Sequence, residues 1–332
     1  MTRRLALLLI LGVVPIALVA AACGSDDGAD VRSSTAGSAS GNSGSPSNPD
    51  SASGSASGTG LSLEDTQTAG GGNAVVAQGV LAYGDYVADQ VDDTIARTKV
   101  FTNAVRARNL QAARAAYAPS REGWERIEPI AGLVEEIDGA VDSRVDDFAG
   151  PDDPTFTGWH RLEYLLWKKN TTEGGAAFAD RLDADLQRLK SGLETLEIPP
   201  AAVALGASDL IEEVSEGKIT GEEDRYSKTD LWDFNANVQG AEEVVTVLTP
   251  ALEDADPELL SRVQAGFKEL EASLAPLKKG DGWVLFCRQN DEFPSNLCPK
   301  PTVTQAQIDR MKAQLAGLSE DLALVPGALG LS

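Results

Sequence analysis

Apolar residues recur three, four and seven positions apart over most of the chain after residue 74. One such run is Val80, Tyr83, Val87, Val91 and Ile95. Spacing of this kind places the apolar side chains on one face of an α-helix. The alternation of apolar and polar residues that marks a half-buried strand is nearly absent. The pattern therefore predicts an all-α body.

Proline and glycine divide this body into segments, because proline ends or kinks a helix and glycine favours turns. About eight helices with mostly short loops result, most simply as two packed bundles that meet near residue 199. The predicted breaks are at Pro119, 150–154, Pro199 and Pro200, 217–221, Pro250, Pro257 and 279–303.

Residues 1–22 have the order of a secretory signal peptide, with two arginines, a long apolar run and then small residues. A membrane-spanning segment is the alternative interpretation of the same run. The residues around Cys23 resemble a bacterial lipobox, in which this cysteine becomes the lipid-modified first residue of the mature chain. We therefore expect export and lipid anchoring on the outer face of the cytoplasmic membrane, in the periplasm or at the cell surface.

The next segment, residues 23–74, links the lipid anchor to the body. Between residues 24 and 60 it consists mostly of glycine, serine, alanine, asparagine and aspartate. Such a composition buries too little apolar surface to offset the entropy that ordering would cost. The segment is therefore predicted to be a flexible, disordered tether, followed by a helical domain over residues 75–325.

The net charge of the chain narrows the range of possible binding partners. The formal net charge is −23, and residues 75–332 carry −20 of it once the first 74 residues are set aside. A surface of this kind repels nucleic acid, since binding a phosphate backbone needs clustered lysine and arginine. It attracts cations. Nucleic acid is therefore excluded as a partner, whereas metal ions are favoured.

The chain has three cysteines. With Cys23 assigned to the lipid, Cys287 and Cys298 remain, eleven positions apart in a turn-rich stretch. An oxidising exterior would let them pair in a disulfide. A zinc site is the less favoured alternative, because no CxxC motif or nearby histidine accompanies them.

His160 is the only histidine in the chain, and Glu163 lies three residues after it. On a helix the two side chains share a face and form half of a metal site. Taken alone, this pair also fits a structural histidine.

Acidic residues upstream of His160 follow the same helical spacing. Glu125 and Glu128 are three residues apart, and Asp138, Asp142 and Asp146 are four apart. These stripes either face solvent or converge inside a bundle, as carboxylate–histidine metal sites do in ferritin-like proteins. Spacing alone leaves both interpretations open.

Longer motifs carry a family resemblance. The segments WERIEPIA, DGAVDSRVDD, FTGWHRLEYLLW and, at 218–240, KITGEEDRYSKTDLWDFNANVQG resemble the EfeO/imelysin-like family over most of residues 75–325. The resemblance implies two packed four-helix bundles and a role in an Efe-type iron uptake system. Partners would be a membrane iron permease and a haem peroxidase-like protein. The tether stands where some members carry a cupredoxin domain, so this looks like the short form.

The resemblance also implies site residues. The family's GxHxxE element matches Gly158, His160 and Glu163, and further metal ligands are implied on the acidic segments before it. Arg144 and Arg161 are expected to hold the ligating carboxylates in place. The implied metal ligands are His160, Glu163, Glu128, Asp142 and Glu125.

One position departs from the family pattern. Lys228 stands where the resemblance leads us to expect histidine, and a protonated lysine cannot bind a metal. A second metal cluster that depended on this position would be lost or weakened here. A hard cation could still bind through carboxylate oxygens, although helix packing and capping also explain the segment. The acids concerned are Glu222, Glu223, Asp230 and Asp233.

One nitrogen and several carboxylates suit Fe(III), Fe(II) and Mn(II), and tolerate Zn(II). We therefore expect a non-enzymatic lipoprotein that captures iron as cargo and delivers it to the permease. An imelysin-like peptidase is one alternative, but the chain contains neither HExxH nor GxSxG. A polysaccharide-binding or purely structural surface lipoprotein is the other, although the acidic body disfavours direct contact with a polyanion.

Overall fold

The computed structural model describes residues 73–331. The signal peptide, the lipidation site at Cys23 and nearly all of the predicted tether lie outside the described residues. Within the described range, every helix is too short or too polar to cross a membrane.

Helices make up most of the described chain, so the all-α prediction is confirmed. Short 3₁₀ turns cover Glu128–Leu133, Val145–Asp147, Lys218–Thr220 and Ala275–Leu277, and Tyr164–Lys168 forms a π-helical turn. The α-helices are α1 (Ala74–Arg106), α2 (Leu110–Ile127), α3 (Glu135–Val141), α4 (Gly158–Glu163), α5 (Ala176–Leu193), α6 (Pro200–Glu216), α7 (Asp230–Ala255), α8 (Pro257–Leu274), α9 (Gln305–Leu322) and α10 (Val325–Ala328).

Two groups of helices share one continuous apolar core. In the first, α2 and α5 both pack against α1, and the short α3 and α4 pack against α5. In the second, α6 to α9 pack together. Helix α7 also contacts α1 and α2, and so joins the groups. Across residues 73–331 the only sheet is one antiparallel pair, β1 (Lys278–Lys279) and β2 (Gly282–Trp283), with Lys278 opposite Trp283.

Two of the predicted helix breaks are wrong. Pro119 lies inside α2, and Pro250 lies inside α7. A proline inside a helix costs about 3 kcal/mol. Each large apolar side chain that such a helix buries returns about 1.5–3 kcal/mol, and both helices bury several. Packing of the whole helix therefore outweighs the local penalty.

Two local features bring the functional residues together. Helix α2 carries Tyr117, Arg121 and Glu125 at four-residue intervals, so all three side chains lie on one buried stripe. Helix α4 starts at Gly158, which has φ of +77°, and a Cβ there would collide with the carbonyl group of Val141. Only glycine permits this close approach. It places His160 beside the end of α3.

Candidate metal centre

A cluster of buried charged side chains lies where α2, the end of α3, α4, the turn before α7 and α7 itself meet. Asp142 is 9% exposed, and the others are at most 3% exposed. Such groups are almost never buried unless they are paired or bind a metal. The other members are Arg121, Glu125, His160, Glu163, Glu223, Asp224 and Asp233.

One nitrogen of His160 faces two carboxylate oxygens. Nε2 lies 3.4 Å from Oδ1 of Asp142 and 3.3 Å from Oε1 of Glu223. Although this nitrogen is buried, it forms no hydrogen bond within the described structure. Metal–ligand distances of about 2.0–2.2 Å place neighbouring ligand atoms about this far apart. The three side chains could therefore share one metal ion.

The outer oxygens of these two carboxylates are held by other side chains. The indole Nε1 of Trp124 donates to Oδ2 of Asp142 at 2.8 Å. Nη1 of Arg144 donates to Oε2 of Glu223 at 2.7 Å. Both contacts fix the carboxylates, as supporting hydrogen bonds do in metal sites. Their inner oxygens, Oδ1 of Asp142 and Oε1 of Glu223, face His160 and also accept hydrogen bonds from Arg121. Arg144, which the resemblance implied as a supporting residue, thus contacts one of these two carboxylates.

The other nitrogen of His160 faces a second group of donors. Nδ1 lies 3.6 Å from Oε2 of Glu163 and 3.5 Å from the hydroxyl of Tyr117. The backbone amides of Tyr226 and Ser227 donate to Oε1 of Glu163 at 2.9 and 2.7 Å. His160 and Glu163 also form a possible ligand group with Asp224. A carboxylate facing the second nitrogen is the usual way to orient a metal-binding histidine.

Arg121 occupies the middle of the cluster and was not predicted from the sequence. Its guanidinium donates to Asp142 and Glu125, to Glu223 at 2.9 Å and to Asp233 at 3.2 Å. One buried cation thus holds four carboxylates together. The sequence did contain an indication of this contact, because Arg121 lies four residues before Glu125 and the two therefore share a helix face.

Glu125 and Glu128 lie next to a second buried cation. Nζ of Lys218 is 3.1 Å from Oε2 of Glu125 and 2.7 Å from both oxygens of Glu128. Nδ2 of Asn237 donates to the same two carboxylates. The geometry also allows Glu125, Glu128 and Asp142 to share a metal. In the described structure, however, the ammonium group of Lys218 already neutralises this pair.

Charge sets the protonation of the cluster. Burial opposes ionisation of Asp142, but the nearby Arg121 outweighs burial and holds the pKa of this carboxyl below its usual range. For Glu223, burial is likewise outweighed, by Lys218 and then His160, and its pKa is lowered. Burial and Arg121 favour neutral His160, yet the closeness of the carboxylates of Asp142, Glu163 and Glu223 raises its pKa. A bound metal ion would therefore displace a proton from this imidazole.

Arg161 is not brought to the cluster. Its guanidinium donates to the carbonyl group of Pro151 and lies 4.7 Å from the centre of the Phe178 ring. Because it follows His160 directly on α4, its side chain leaves the helix in another direction. The expectation that it holds a site carboxylate does not match this geometry.

The four acids predicted as a second cation cluster are divided among different partners. Glu223 faces His160, and Asp233 binds Arg121. Glu222 lies 3.4 Å from Arg144, and Asp230 accepts a hydrogen bond from the backbone amide of Asp224. Two of the four therefore belong to the cluster around Arg121.

Lys228 is completely buried and points away from His160 towards a loop. Its Nζ lies 2.8 Å from Oδ2 of Asp291, and Phe293 lies beside it. Cys287 and Cys298 form the predicted disulfide that closes this loop. Lys228 therefore has a structural partner of its own.

Comparison with known proteins supplies the context for this geometry. Residues 79–323 match the family model described as Imelysin, Peptidase_M75. The chain is 42% identical over 271 residues to "Iron uptake system component EfeO" of Escherichia coli O157:H7, which covers 81% of this chain and 68% of that protein. The proteins of the same name from Escherichia coli strain K12 and Shigella flexneri are 41% identical over the same shares.

Proposed function

Since the chain belongs to the imelysin family, and its relatives are named components of an iron uptake system, we propose that it captures iron outside the cytoplasm and delivers it to an Efe-type membrane permease. A haem peroxidase-like protein would be the further partner. Lipid modification at Cys23 would hold the protein at the outer face of the cytoplasmic membrane.

One observation carries the assignment of the site. Among the described residues, the buried Nε2 of His160 has no hydrogen-bond partner, and it faces inner oxygens of Asp142 and Glu223, whose outer oxygens are fixed. We propose these three side chains as the metal ligands. One nitrogen with several carboxylate oxygens is a donor set that suits Fe(III) and Fe(II) and also accepts Mn(II) or Zn(II).

The remaining predicted ligands surround this group. Glu163 lies on the Nδ1 side of the imidazole and orients it, since its own position is fixed by two backbone amides. Glu125 and Glu128 lie beside this group and are paired with Lys218. The ionised Asp142 and Glu223 supply the negative charge that would stabilise a multivalent cation in a site that water hardly reaches.

We propose binding rather than peptide hydrolysis. The matching family model carries a peptidase label, whereas the relatives are named for iron uptake. A zinc peptidase of the HExxH type uses two histidines and a glutamate base. His160 is the only histidine of this chain, and its surroundings are carboxylates.

Calorimetric titration of the full chain tests the proposal. Fe(II) without oxygen, Fe(III)-citrate, Zn(II) and Mn(II) would be added to the wild type, to His160→Ala and to Arg161→Ala. We expect saturable iron binding that His160→Ala weakens about 10-fold or more. Arg161→Ala changes the neighbouring residue, which does not touch the cluster, and should bind as the wild type does.

Two results would contradict this assignment in different ways. Equal affinity of the wild type and His160→Ala would remove the histidine from the site. Failure of the wild type to bind iron in any form would reject the iron-capturing role.

A further inference from the structure

A cavity of about 640 Å³ lies between the turn at residues 128–133, α3 and α6. Its inner end is lined by Asp142 and Glu223, the two carboxylates that face His160. Nε2 of that histidine has no hydrogen-bond partner within residues 73–331, and it lies 3.4 and 3.3 Å from their inner oxygens. The cavity thus connects the surface with the candidate metal centre.

The ionisable groups that line this cavity are mostly acidic. Seven are aspartates or glutamates, against one arginine and one lysine. The two cations, Arg144 and Lys218, are already paired with glutamates of the cluster. Asp138, Asp209 and Glu213 lie nearer the surface, and their side chains form no hydrogen bond or ion pair within residues 73–331. The lining of the cavity therefore carries uncompensated negative charge.

We propose that this cavity is the entrance to the metal centre, and that its acidic mouth admits hydrated metal cations in preference to metal held in an anionic chelate. This inference rests on the proposed function, because it concerns the same site. The ligands are too deeply buried for an ion to reach them directly from the surface.

The physical reason for the selectivity is electrostatic. A cleft lined by one sign of charge concentrates ions of the opposite sign and raises their association rate by about 10- to 1,000-fold. The same field repels an iron complex whose chelator gives it a net negative charge. The cavity is large enough to hold an ion with its hydration shell.

Leu205 allows a test that leaves every ligand in place. It lines the cavity on α6, is 45% exposed, and lies four residues before Asp209. Leu205→Glu and Leu205→Lys add opposite charges at this position, and both residues suit an exposed helix. Association of Mn(II) with the full chain would be followed by stopped-flow tryptophan fluorescence, because Trp124 is hydrogen-bonded to Asp142.

We expect Mn(II) to associate faster with Leu205→Glu than with Leu205→Lys, by about tenfold at low salt. The dissociation rates should be alike, and the difference should largely disappear at about 1 M salt, where charges are screened beyond roughly 3 Å. With Fe(III)-citrate the order should reverse. Val100 on α1 is 64% exposed and lines no part of the cavity, so Val100→Glu and Val100→Lys should associate at equal rates.

The outcomes separate this inference from the proposed function. If the wild type binds Mn(II) or iron while Mn(II) associates with the two Leu205 variants at the same rate, the proposed entrance is rejected. The proposed metal site is then unaffected. If Fe(III)-citrate also associates faster with Leu205→Glu, the preference for hydrated cations is overturned. If the wild type binds no cation at equilibrium, the proposed function fails, and the entrance fails with it.

Discussion

The inner faces of helices α8 and α9 and the cluster around Arg121 are both deeply buried, but they are built from different residues. Helix α8 buries leucine, valine and phenylalanine, and α9 buries leucine, isoleucine and methionine. Helix α2 instead buries Ser120, Arg121 and Glu125 together with Tyr117 and Trp124. The first region resembles an ordinary bundle core, whereas the second places ionised groups where water is excluded.

The difference distinguishes a region that stabilises the fold from one that we propose to serve a ligand. Burial of apolar surface contributes about 25 cal/mol per Å². Burying ions costs several kcal/mol for each, and mutual attraction often only offsets this cost. The cluster is therefore a poor way to stabilise a helical protein. Its composition is better explained by the cation that it would bind.

The largest expected effect follows from Arg121→Met. Without this cation, four buried carboxylates lose their shared partner, and we expect the free energy of unfolding to fall by about 3–5 kcal/mol at pH 8. The loss should be smaller at pH 5, because without Arg121 the carboxylates of the folded variant bind protons more readily. Urea unfolding at both pH values, with and without Zn(II), measures this, and the ion should recover part of the loss.

Arg262→Met is the matched control. Its ion pair with Asp321 is largely exposed, so its loss should change stability by less than about 1 kcal/mol. An equal loss for Arg121→Met at pH 5 and pH 8, unaffected by Zn(II), would contradict the view that the cluster is an electrostatic site.

Phe267→Ala tests the other side of the comparison. Phe267 is completely buried on α8, and its truncation should lower the free energy of unfolding by about 3–5 kcal/mol through lost burial and the cavity left behind. Unlike Arg121→Met, Phe267→Ala should lower the free energy of unfolding by the same amount at pH 5 and pH 8. Iron affinity measured by calorimetry at low temperature should equal that of the wild type. A weakened affinity would show that the two regions are coupled.

The smallest effect is expected at the edge of the cluster. Burial, followed by the charge of Asp142, raises the pKa of Asp138 to about 7. Its ordinary value is about 4, so the group favours folding below pH 4 and loses that contribution as the pH rises towards 7. Asp138→Asn should therefore stabilise the protein at pH 8, by about 1 kcal/mol after allowance for solvent screening.

Unfolding midpoints between pH 4 and pH 8 check this prediction. The gain should grow with pH up to about 7 and then level off. Asp254→Asn, at an exposed position of α7, should show changes within about 0.5 kcal/mol at every pH. A constant difference across the pH range for Asp138→Asn would show that its carboxyl group is not perturbed by the cluster.

The helical class of the body could be predicted because its apolar periodicity is long and regular. The positions of Pro119 and Pro250 could not, since a local rule for proline does not include the packing of an entire helix. The pairing of Cys287 with Cys298 followed from counting, because only two cysteines remained in the body. Features determined by neighbours in sequence were thus more predictable than those determined by tertiary contacts.

The candidate site divides in the same way. Local spacing indicated His160 with Glu163, and the family resemblance added Asp142. Glu223 was placed in a separate cluster, because nothing in the sequence shows that the turn before α7 reaches His160. Arg121 was missed, since an arginine four residues before a glutamate resembles an ordinary surface ion pair until its burial is known.

The hydrogen bond between Arg121 and Asp233 joins residues 112 positions apart, and the three proposed ligands come from widely separated elements. Contacts of this range require the loops between them to close first, at a cost in entropy. We therefore expect that an ion does not nucleate folding here, as zinc does in small finger domains. A chain that is still incomplete, or locally opened, has no site to fill. The amount of bound metal would then report the fraction of molecules that have finished folding.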